Sequence, residues 1–271
     1  MLIGKKEFNL KENTYIMGIL NVTPDSFSDG GKFNTVSKAL AHANQLIDEG
    51  AVLIDVGGES TRPNHTKVSD EEEIERVVPV IKELKKNFDI PVSIDTYKSK
   101  VAQAALFAGA DLVNDIWGLK YDKAMAGIIS EYQVPVCLMH NRKEAVYGNY
   151  MEEVISDLQE SIEIGLEAGI QKDKMIIDPG IGFGKTYEMN LILLNRLEEL
   201  KQFNLPVLLG TSRKSVIGLT LDLPAEDRLE GTIATTVMGV MKGCSIIRVH
   251  DVLANWRAVK MTEAILKEHK E

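Results

Sequence analysis

The chain has 271 residues, 44% of them hydrophobic and 26% charged, with a formal net charge of -9. This composition predicts a globular protein with a core of ordinary size, no membrane span or signal peptide, and no binding to nucleic acid or membranes. The two cysteines, Cys137 and Cys244, lie far apart in apolar segments. They are typical of buried free thiols in a reducing cytoplasm.

Residues 1–13 are predicted to form a short hairpin or strand that closes the floor of the fold. Eight apolar segments then predict strands, and each is nearly all apolar until its last residues. The predicted strands are 15–20, 52–56, 92–95, 111–115, 134–140, 174–179, 206–210 and 245–250. Continuous apolar segments of this length are typical of strands covered on both faces of a parallel sheet.

Helical patterns alternate with these strands. An apolar face begins near Val36 and ends at Gly50, and Ser69 followed by Glu72 is a capping-box pattern. The predicted helices are 35–51, 69–87, 98–109, 122–132, 150–168, 187–202, 228–242 and 251–269. Eight strand–helix units predict a (β/α)8 TIM barrel that is a single domain over residues 1–271. An open doubly wound sheet is the alternative, which the lack of a dinucleotide-binding fingerprint disfavours.

Polar residues recur at the ends of the predicted strands. They include Asn21, Asp55, Asp95, Asn114, Asp115, His140, Asp178, Arg248 and His250. In a barrel these ends meet on one rim, where the active sites of this architecture lie. Any single residue is explained equally well as a strand-end cap bonded to loop amides. Their repetition around the barrel favours a ligand site, because buried polar groups are costly without partners.

The segment "PGIGFGKT" looks like a phosphate-binding loop but does not have the Walker spacing, because Pro179 stands where the first glycine is needed. Its glycines also lack the GxGxxG spacing. They are interpreted as letting the backbone approach a flat ligand closely. No Cys/His cluster has the spacing of zinc ligands.

Two groups of cations follow the last two strands. In "TSRKS", Arg213 and Lys214 are explained in one of two ways. Both side chains are solvated in a loop, or the loop lies at a barrel rim and Lys214 points inward. Arg248 and His250 alternate, so they face the same side of their strand. Arg248 lies in an Ile/Val segment and needs an anionic partner. That partner is either a bound ligand or an internal carboxylate, Asp55 or Asp95.

Eight motifs over residues 16–252 resemble those of the dihydropteroate synthases, in the same order. They are "GILNVTPDSFSDGGKF", "IDVGGESTRP", "SIDT", "NDI", "LMH", "DPGIGFGK", "TSRKS" and "RVHDV". The resemblance implies the predicted barrel and the transfer of 6-hydroxymethyl-7,8-dihydropterin from its diphosphate to 4-aminobenzoate. It also implies Mg²⁺, a homodimer, a cytoplasmic location, a place in folate biosynthesis, and inhibition by sulfonamides.

The resemblance implies specific site residues as well. The pterin site comprises Asp95, Asn114, Ile116, Met139, Asp178, Phe183, Gly210 and Lys214. The diphosphate site comprises Asn21, Arg248 and His250, and Asn21 also contacts the Mg²⁺ held by the diphosphate. The 4-aminobenzoate site comprises Phe27, Thr61, Arg62, Pro63, Phe183, Lys214 and Ser215. Catalysis is assigned to Asp95, Lys214, Arg248 and His250.

The segment "TPDSFSDGG" is too long for a tight hairpin and too polar for the core. With "GESTRPNH", it is predicted to close over the barrel mouth once diphosphate is bound, with Asp29 holding the closed form. His140 has no assigned role. Two alternatives stay open: a methyltetrahydrofolate:corrinoid methyltransferase, which shares the pterin pocket, and a pterin-binding paralogue without catalysis.

Overall fold

A computed structural model of the chain describes residues 1–23, 32–59 and 67–268. Within these ranges the chain forms ten β-strands and nine α-helices. The strands are β1 (Leu2–Ile3), β2 (Lys6–Glu7), β3 (Tyr15–Asn21), β4 (Leu53–Gly57), β5 (Val92–Asp95), β6 (Leu112–Asp115), β7 (Val136–Met139), β8 (Met175–Asp178), β9 (Leu208–Leu209) and β10 (Ile246–Val249). The helices are α1 (Lys32–Asp48), α2 (Asp70–Asn87), α3 (Ser99–Phe107), α4 (Met125–Tyr132), α5 (Tyr150–Glu167), α6 (Tyr187–Asn195), α7 (Ser215–Leu221), α8 (Leu229–Met241) and α9 (Val252–Lys267).

Strands β3 to β10 form one parallel sheet in the order β8-β7-β6-β5-β4-β3-β10-β9. A parallel bridge between Ile177 and Val207 joins its two ends, and the Ile177 amide donates to the Pro206 carbonyl over 3.0 Å. The sheet therefore curls into a nearly closed barrel surrounded by helices. This confirms the predicted (β/α)8 TIM barrel.

The N-terminal hairpin closes the floor of the barrel. Strands β1 and β2 pair antiparallel, and Ile3, Phe8 and Leu10 are buried against side chains from inside the barrel. Those inner side chains are Met17, Leu53, Leu112, Cys137, Ile176, Leu208 and Ile246. The hairpin expected over residues 1–13 is thus confirmed, and the barrel opens at the carboxyl ends of its strands.

The inner side of each strand changes from apolar at the floor to polar at the rim. On β4, Leu53, Asp55 and Gly57 alternate towards the barrel axis, as the two-residue period of a strand requires. Their register partners on β3 are Met17, Ile19 and Asn21 respectively. Inside the barrel the floor layer is therefore apolar and the layers above it carry polar groups, while the larger core lies between the strands and the surrounding helices.

The predicted helices differ from the structure in one boundary and one missing helix. The helix expected over 187–202 ends at Asn195 and is followed by a 3-10 helix, Leu197–Phe203. Helix α7 was not predicted, because seven residues with an internal glycine are too short for helical periodicity to register. The predicted cap of α2 is present: Ser69 Oγ accepts a hydrogen bond from the Glu72 amide over 3.1 Å.

Both cysteines are buried and neither forms a disulfide. They lie on different elements, Cys137 on β7 and Cys244 just before β10. In the described part of the chain, the structure contains no helix long and apolar enough to cross a lipid bilayer.

Candidate active site

Arg248 is at the centre of the rim. Its Nε donates to Asp55 Oδ2 over 2.5 Å, and its Nη2 donates to Asp95 Oδ2 over 2.6 Å. Asn114 Nδ2 donates to the same Asp55 oxygen over 3.2 Å. Of the two partners left open for Arg248, the structure contains the internal carboxylates. The guanidinium thus joins β10 to β4 and β5 across the barrel mouth.

Burial and charge shift the pKa values of this cluster. Burial raises the pKa of Asp95 to about 7, with Arg248 opposing the shift and the neighbouring Asp55 charge adding to it. Burial disfavours the Arg248 guanidinium, but Asp55 and Asp95 outweigh that effect and raise its pKa. Asp95 is therefore a carboxylate whose charge depends on the cations around it.

Three polar atoms in this region are buried and have no hydrogen-bond partner among the described residues. They are Asp55 Oδ1, Asp95 Oδ1 and Ser93 Oγ. Native proteins rarely leave such atoms without partners, because each costs about 1–3 kcal/mol. Their presence on adjacent strands β4 and β5 indicates a site built for a polar ligand.

Lys214 points into the barrel mouth and Arg213 points away from it. The Lys214 amide donates to the Thr211 carbonyl over 3.0 Å, and Arg213 between them has a left-handed φ of 57°. This turn sends the Arg213 guanidinium to Asp251, while Lys214 Nζ donates to the Ile181 carbonyl. Of the two positions that the sequence left open for Lys214, the structure has the inward one.

Opposite charges accompany the inward lysine. Burial lowers the pKa of Lys214 to about 8, although Asp178 opposes the shift. Burial also raises the pKa of Asp178, with Lys214 opposing it. The Gly180 amide donates to Asp178 Oδ1 over 2.7 Å and fixes this carboxylate at the end of β8. Asp178 and Lys214 thus form a second polar pair on the rim.

A small apolar cluster lies beside these charges. Ile116 and Met139 are buried there, and Phe183 packs against them. Lys214 Nζ lies 4.7 Å from the centre of the Phe183 ring. At Gly210 a side chain would meet only Arg248, at 3.9 Å. The structure therefore brings together the predicted pterin-site residues: apolar walls beside two carboxylates, an amide and a lysine.

The predicted diphosphate residues lie on neighbouring strands. Asn21 ends β3 beside Gly57 and Asp95, and Arg248 and His250 lie at the end of β10. Ser212 Oγ accepts from the His250 amide over 3.2 Å and lies 2.9 Å from His250 Nδ1. The two contacts hold the His250 ring at the end of β10, and the donor between Oγ and Nδ1 depends on the ring tautomer, because a hydroxyl oxygen can accept two hydrogen bonds.

The predicted aminobenzoate site is only partly described. Ser215 is exposed at the first turn of α7, near Lys214 and away from the floor. Phe27, Asp29, Thr61, Arg62 and Pro63 lie outside the described residues. The sequence analysis gave no role to Ser93 and treated Asp55 only as a possible partner of Arg248. The sequence does contain a signal for both residues: Ser93 is two positions before Asp95 on β5, and Asp55 two before Gly57 on β4, so each faces the inside of the barrel.

The described residues contain no group of three or more His, Cys, Asp or Glu side chains able to hold a metal ion. Asn21 offers one amide oxygen near the Asp95 carboxylate. Such a sparse donor set fits a Mg²⁺ ion that takes most of its ligands from a diphosphate, as Mg²⁺ commonly does.

The family model described as "Pterin binding enzyme" matches residues 17–250. A dihydropteroate synthase from Clostridium beijerinckii is 62% identical over 268 residues, which are 98% of this chain and 100% of the relative. The chain belongs to the dihydropteroate synthases of the pterin binding enzyme family. The family resemblance of the eight motifs is therefore confirmed. The prediction that the chain is a transferase of folate biosynthesis is confirmed as well.

Solved structures support the same assignment. A Clostridium difficile dihydropteroate synthase, crystallised in the presence of pteroic acid, has a TM-score of 0.95 and 53% identity over 97% of this chain and 100% of its own. The Xanthomonas albilineans dihydropteroate synthase with 4-aminobenzoic acid has a TM-score of 0.90 and 43% identity over 94% of both chains. The barrel is thus shared with solved proteins of the same family.

Proposed function

We propose that the chain condenses 6-hydroxymethyl-7,8-dihydropterin diphosphate with 4-aminobenzoate, giving 7,8-dihydropteroate and diphosphate. The observation that carries this proposal is the rim cluster of Arg248 with Asp55 and Asp95, in a chain 62% identical to a dihydropteroate synthase. The cluster combines a phosphate-binding fork with buried carboxylates. We infer that residues 1–271 act as one domain.

The pterin ring is assigned to the pocket between Asp178 and the apolar walls. A single carboxylate can accept hydrogen bonds from the adjacent ring N–H and amino group, and Asp178 has this role. Asn114 both donates and accepts, and Lys214 donates to the ring carbonyl and N5. Asp95 Oδ1, which has no partner in the described structure, is a further acceptor for the ligand. Ile116, Met139 and Phe183 cover the ring faces, and Gly210 leaves room for its edge.

The diphosphate is assigned to Asn21, Arg248 and His250. Arg248 exchanges part of its bonding to Asp55 and Asp95 for phosphate oxygens, which its fork of N–H groups fits. An N–H group of the His250 ring suits a second phosphate oxygen. When Mg²⁺ is bound, it neutralises charge on the leaving diphosphate. Asn21 would contribute its amide oxygen to that ion.

Substitution at the pterin methylene is proposed to be dissociative. The C–O bond to diphosphate breaks first, and the positive charge left on the methylene spreads over the pterin. Ionised Asp95 stabilises that charge at short range in a buried site. The arylamine nitrogen then bonds to the methylene and loses a proton. No strong base is needed, because the amine becomes acidic as the bond forms.

The aminobenzoate pocket is proposed to join Phe183, Lys214 and Ser215 to Phe27, Thr61, Arg62 and Pro63. The last four, with Asp29 as the residue that holds the closed form, belong to the parts of the chain outside the described ranges. Sulfonamides are proposed to compete for this pocket. We also propose a homodimer and a cytoplasmic location, the latter consistent with two unpaired buried thiols.

The test is turnover of purified protein with dihydropterin diphosphate, labelled 4-aminobenzoate and Mg²⁺. We expect Asp95→Asn and Arg248→Ala each to lower kcat/KM by about hundredfold or more, since both remove charge that stabilises the transition state. Asn21→Ala should raise the Mg²⁺ concentration needed for half-maximal rate. Arg196→Ala, which removes an exposed arginine paired with Glu199, is the matched control and should be unchanged. A wild type that binds the pterin but forms no dihydropteroate would refute the proposal.

A further inference from the structure

A lysine that the assigned chemistry does not use, Lys185, lies directly behind the loop that carries Phe183. Its Nζ donates to the carbonyl oxygens of Gly180 and Phe183, each over 2.9 Å. The same nitrogen lies 2.8 Å from His140 Nδ1. An ammonium group has three N–H donors, and these three acceptors match them. One side chain thus ties the beginning of the loop to its end and to the residue after β7.

The acceptor at His140 is set by a second contact on the far side of the ring. Because Nδ1 accepts from Lys185, the ring proton lies on Nε2, which donates to Asp157 Oδ2 over 3.0 Å. Arg142 Nε donates to the same oxygen over 2.6 Å. Burial lowers the pKa of His140 to about 4, so the ring is neutral at neutral pH. When Lys185 is an ammonium, Asp157, His140 and Lys185 therefore form a continuous hydrogen-bonded chain.

The charge of Lys185 depends on this environment. Burial lowers the pKa of Lys185 to about 7, while Asp178 opposes the shift. Lys214 and Arg142 add to the lowering, and Asp157 opposes it. The two carbonyl oxygens and the imidazole nitrogen all favour the ammonium form, because each accepts one of its protons. The three acceptors therefore favour the charged form of Lys185 that bonds to the loop.

The loop between β8 and α6 is pressed against the segment after β7. Gly180 and Gly184 have left-handed φ values of 69° and 54°. A side chain at either position would overlap a carbonyl oxygen, that of His140 or that of Arg142. From the sequence, these glycines were interpreted as letting the backbone approach a ligand. In the structure, Gly180 and Gly184 instead lie against the backbone of residues 140–142. Tyr147 adds a hydrogen bond from its hydroxyl to the Gly184 carbonyl over 2.8 Å.

The same loop supplies two groups of the pterin pocket. The Gly180 amide holds Asp178, and the Phe183 ring packs on Met139 and Ile116. We propose that Lys185 is a positioning residue, whose ammonium fixes the loop so that Asp178 and Phe183 face the pterin. His140 and Asp157 hold that ammonium in place. This inference rests on the proposed function, and Lys185 itself touches no reacting atom.

The test compares Lys185→Met with wild type, using calorimetric binding of dihydropterin diphosphate and Mg²⁺ and steady-state kinetics. We expect the dissociation constant and the KM for the pterin to rise by about tenfold or more, because a displacement of about 1 Å is costly in a positioned site. The thermal unfolding midpoint of Lys185→Met should not fall in proportion to its loss of pterin affinity. Lys174→Met is the matched control: its Nζ also donates to a backbone carbonyl, that of Gln133, but at the opposite end of β8.

Two variants of His140 separate hydrogen bonding from packing. His140→Asn keeps an acceptor close to the position of Nδ1, whereas His140→Phe fills the space without one. We expect the asparagine variant to bind the pterin several-fold more tightly than the phenylalanine variant. Equal pterin affinities for these two variants, or Lys185→Met within twofold of wild type, would overturn the inference and leave the proposed function standing. A wild type that does not bind the pterin would overturn both.

Discussion

Asp55 is the residue that connects the groups of the barrel mouth. It is fully buried, and one of its oxygens accepts from both Arg248 and Asn114. Its charge also contributes to the raised pKa of Asp95. Asp55 thus acts on two residues that the proposed mechanism uses, and this makes its effect on pH dependence predictable in sign.

We expect the acidic limb of kcat/KM for the pterin substrate to lie near pH 7, where Asp95 takes up a proton. Asp55→Asn removes a negative charge that disfavours ionised Asp95. The pKa of Asp95 then falls, so activity persists to lower pH, with the limb displaced by roughly one unit. A pH–rate profile of the variant beside wild type measures this shift.

The control for this profile is Asp89→Asn, which removes a carboxylate from an exposed side chain remote from the rim. Its limb should coincide with that of wild type. A limb that stays in place in Asp55→Asn, or moves to higher pH, would contradict the assignment of the limb to Asp95. Unchanged inhibition by diphosphate would verify that Arg248 keeps its position at the rim in the variant.

Residue positions on the rim were predictable because polar residues end the apolar segments, but the choice between the two kinds of partner named for Arg248 was not. Asp55 and Arg248 lie 193 residues apart in sequence. Their contact depends on how far a side chain reaches across the closed barrel. Neither composition nor periodicity contains that distance, so the sequence left a bound ligand and an internal carboxylate as alternatives.

At the scale of elements, helix α2 is tied to the rim through its first turn. Glu73 Oε2 lies 2.7 Å from Lys98 Nζ, and Lys98 also contacts Glu59 at 2.5 Å. Glu59 ends the described segment after β4, and Lys98 immediately precedes α3. The N-terminus of α2 thus belongs to a buried ion-pair network shared by three elements. The cap of α2 therefore stabilises the first turn that contributes Glu73 to this network.

We expect Ser69→Ala to lower the free energy of unfolding by about 1 kcal/mol, since it removes the acceptor of the Glu72 amide. Ser69→Thr keeps a hydroxyl oxygen at the cap and should lose less than half of that amount. Urea denaturation with equal m-values for all three proteins is the measurement. Equal stability of wild type and Ser69→Ala would show that solvent satisfies this amide equally well.

The predicted elements were correct where a strong local pattern exists. Eight apolar segments became the eight barrel strands of the described structure, because burial on both faces demands continuous apolar residues. The break after Asn195 has no such signal: no glycine or proline occurs between Tyr187 and Phe203. The end of α6 could therefore not be located from glycine or proline in its local sequence.

For the whole molecule, the proposed homodimer requires a face that the barrel does not bury. Helices α6, α7 and α8 pack on one another and expose apolar side chains on neighbouring turns. These side chains are Leu191, Ile192, Leu219, Leu221, Met238 and Met241. Apolar side chains grouped in this way are typical of subunit interfaces, whereas scattered ones need no explanation.

We expect the wild type to sediment at twice the mass of the chain at micromolar concentration, and Leu219→Glu to shift it to monomer. Leu219 is 67% exposed on α7, so a charge there costs little in the monomer but is unpaired and desolvated in an interface. Phe107→Glu is the control, because Phe107 is 82% exposed on α3, a helix outside the α6–α8 face. Sedimentation velocity measures all three. Dissociation by Phe107→Glu alone would place the interface on α3, and a monomeric wild type would rule out the dimer.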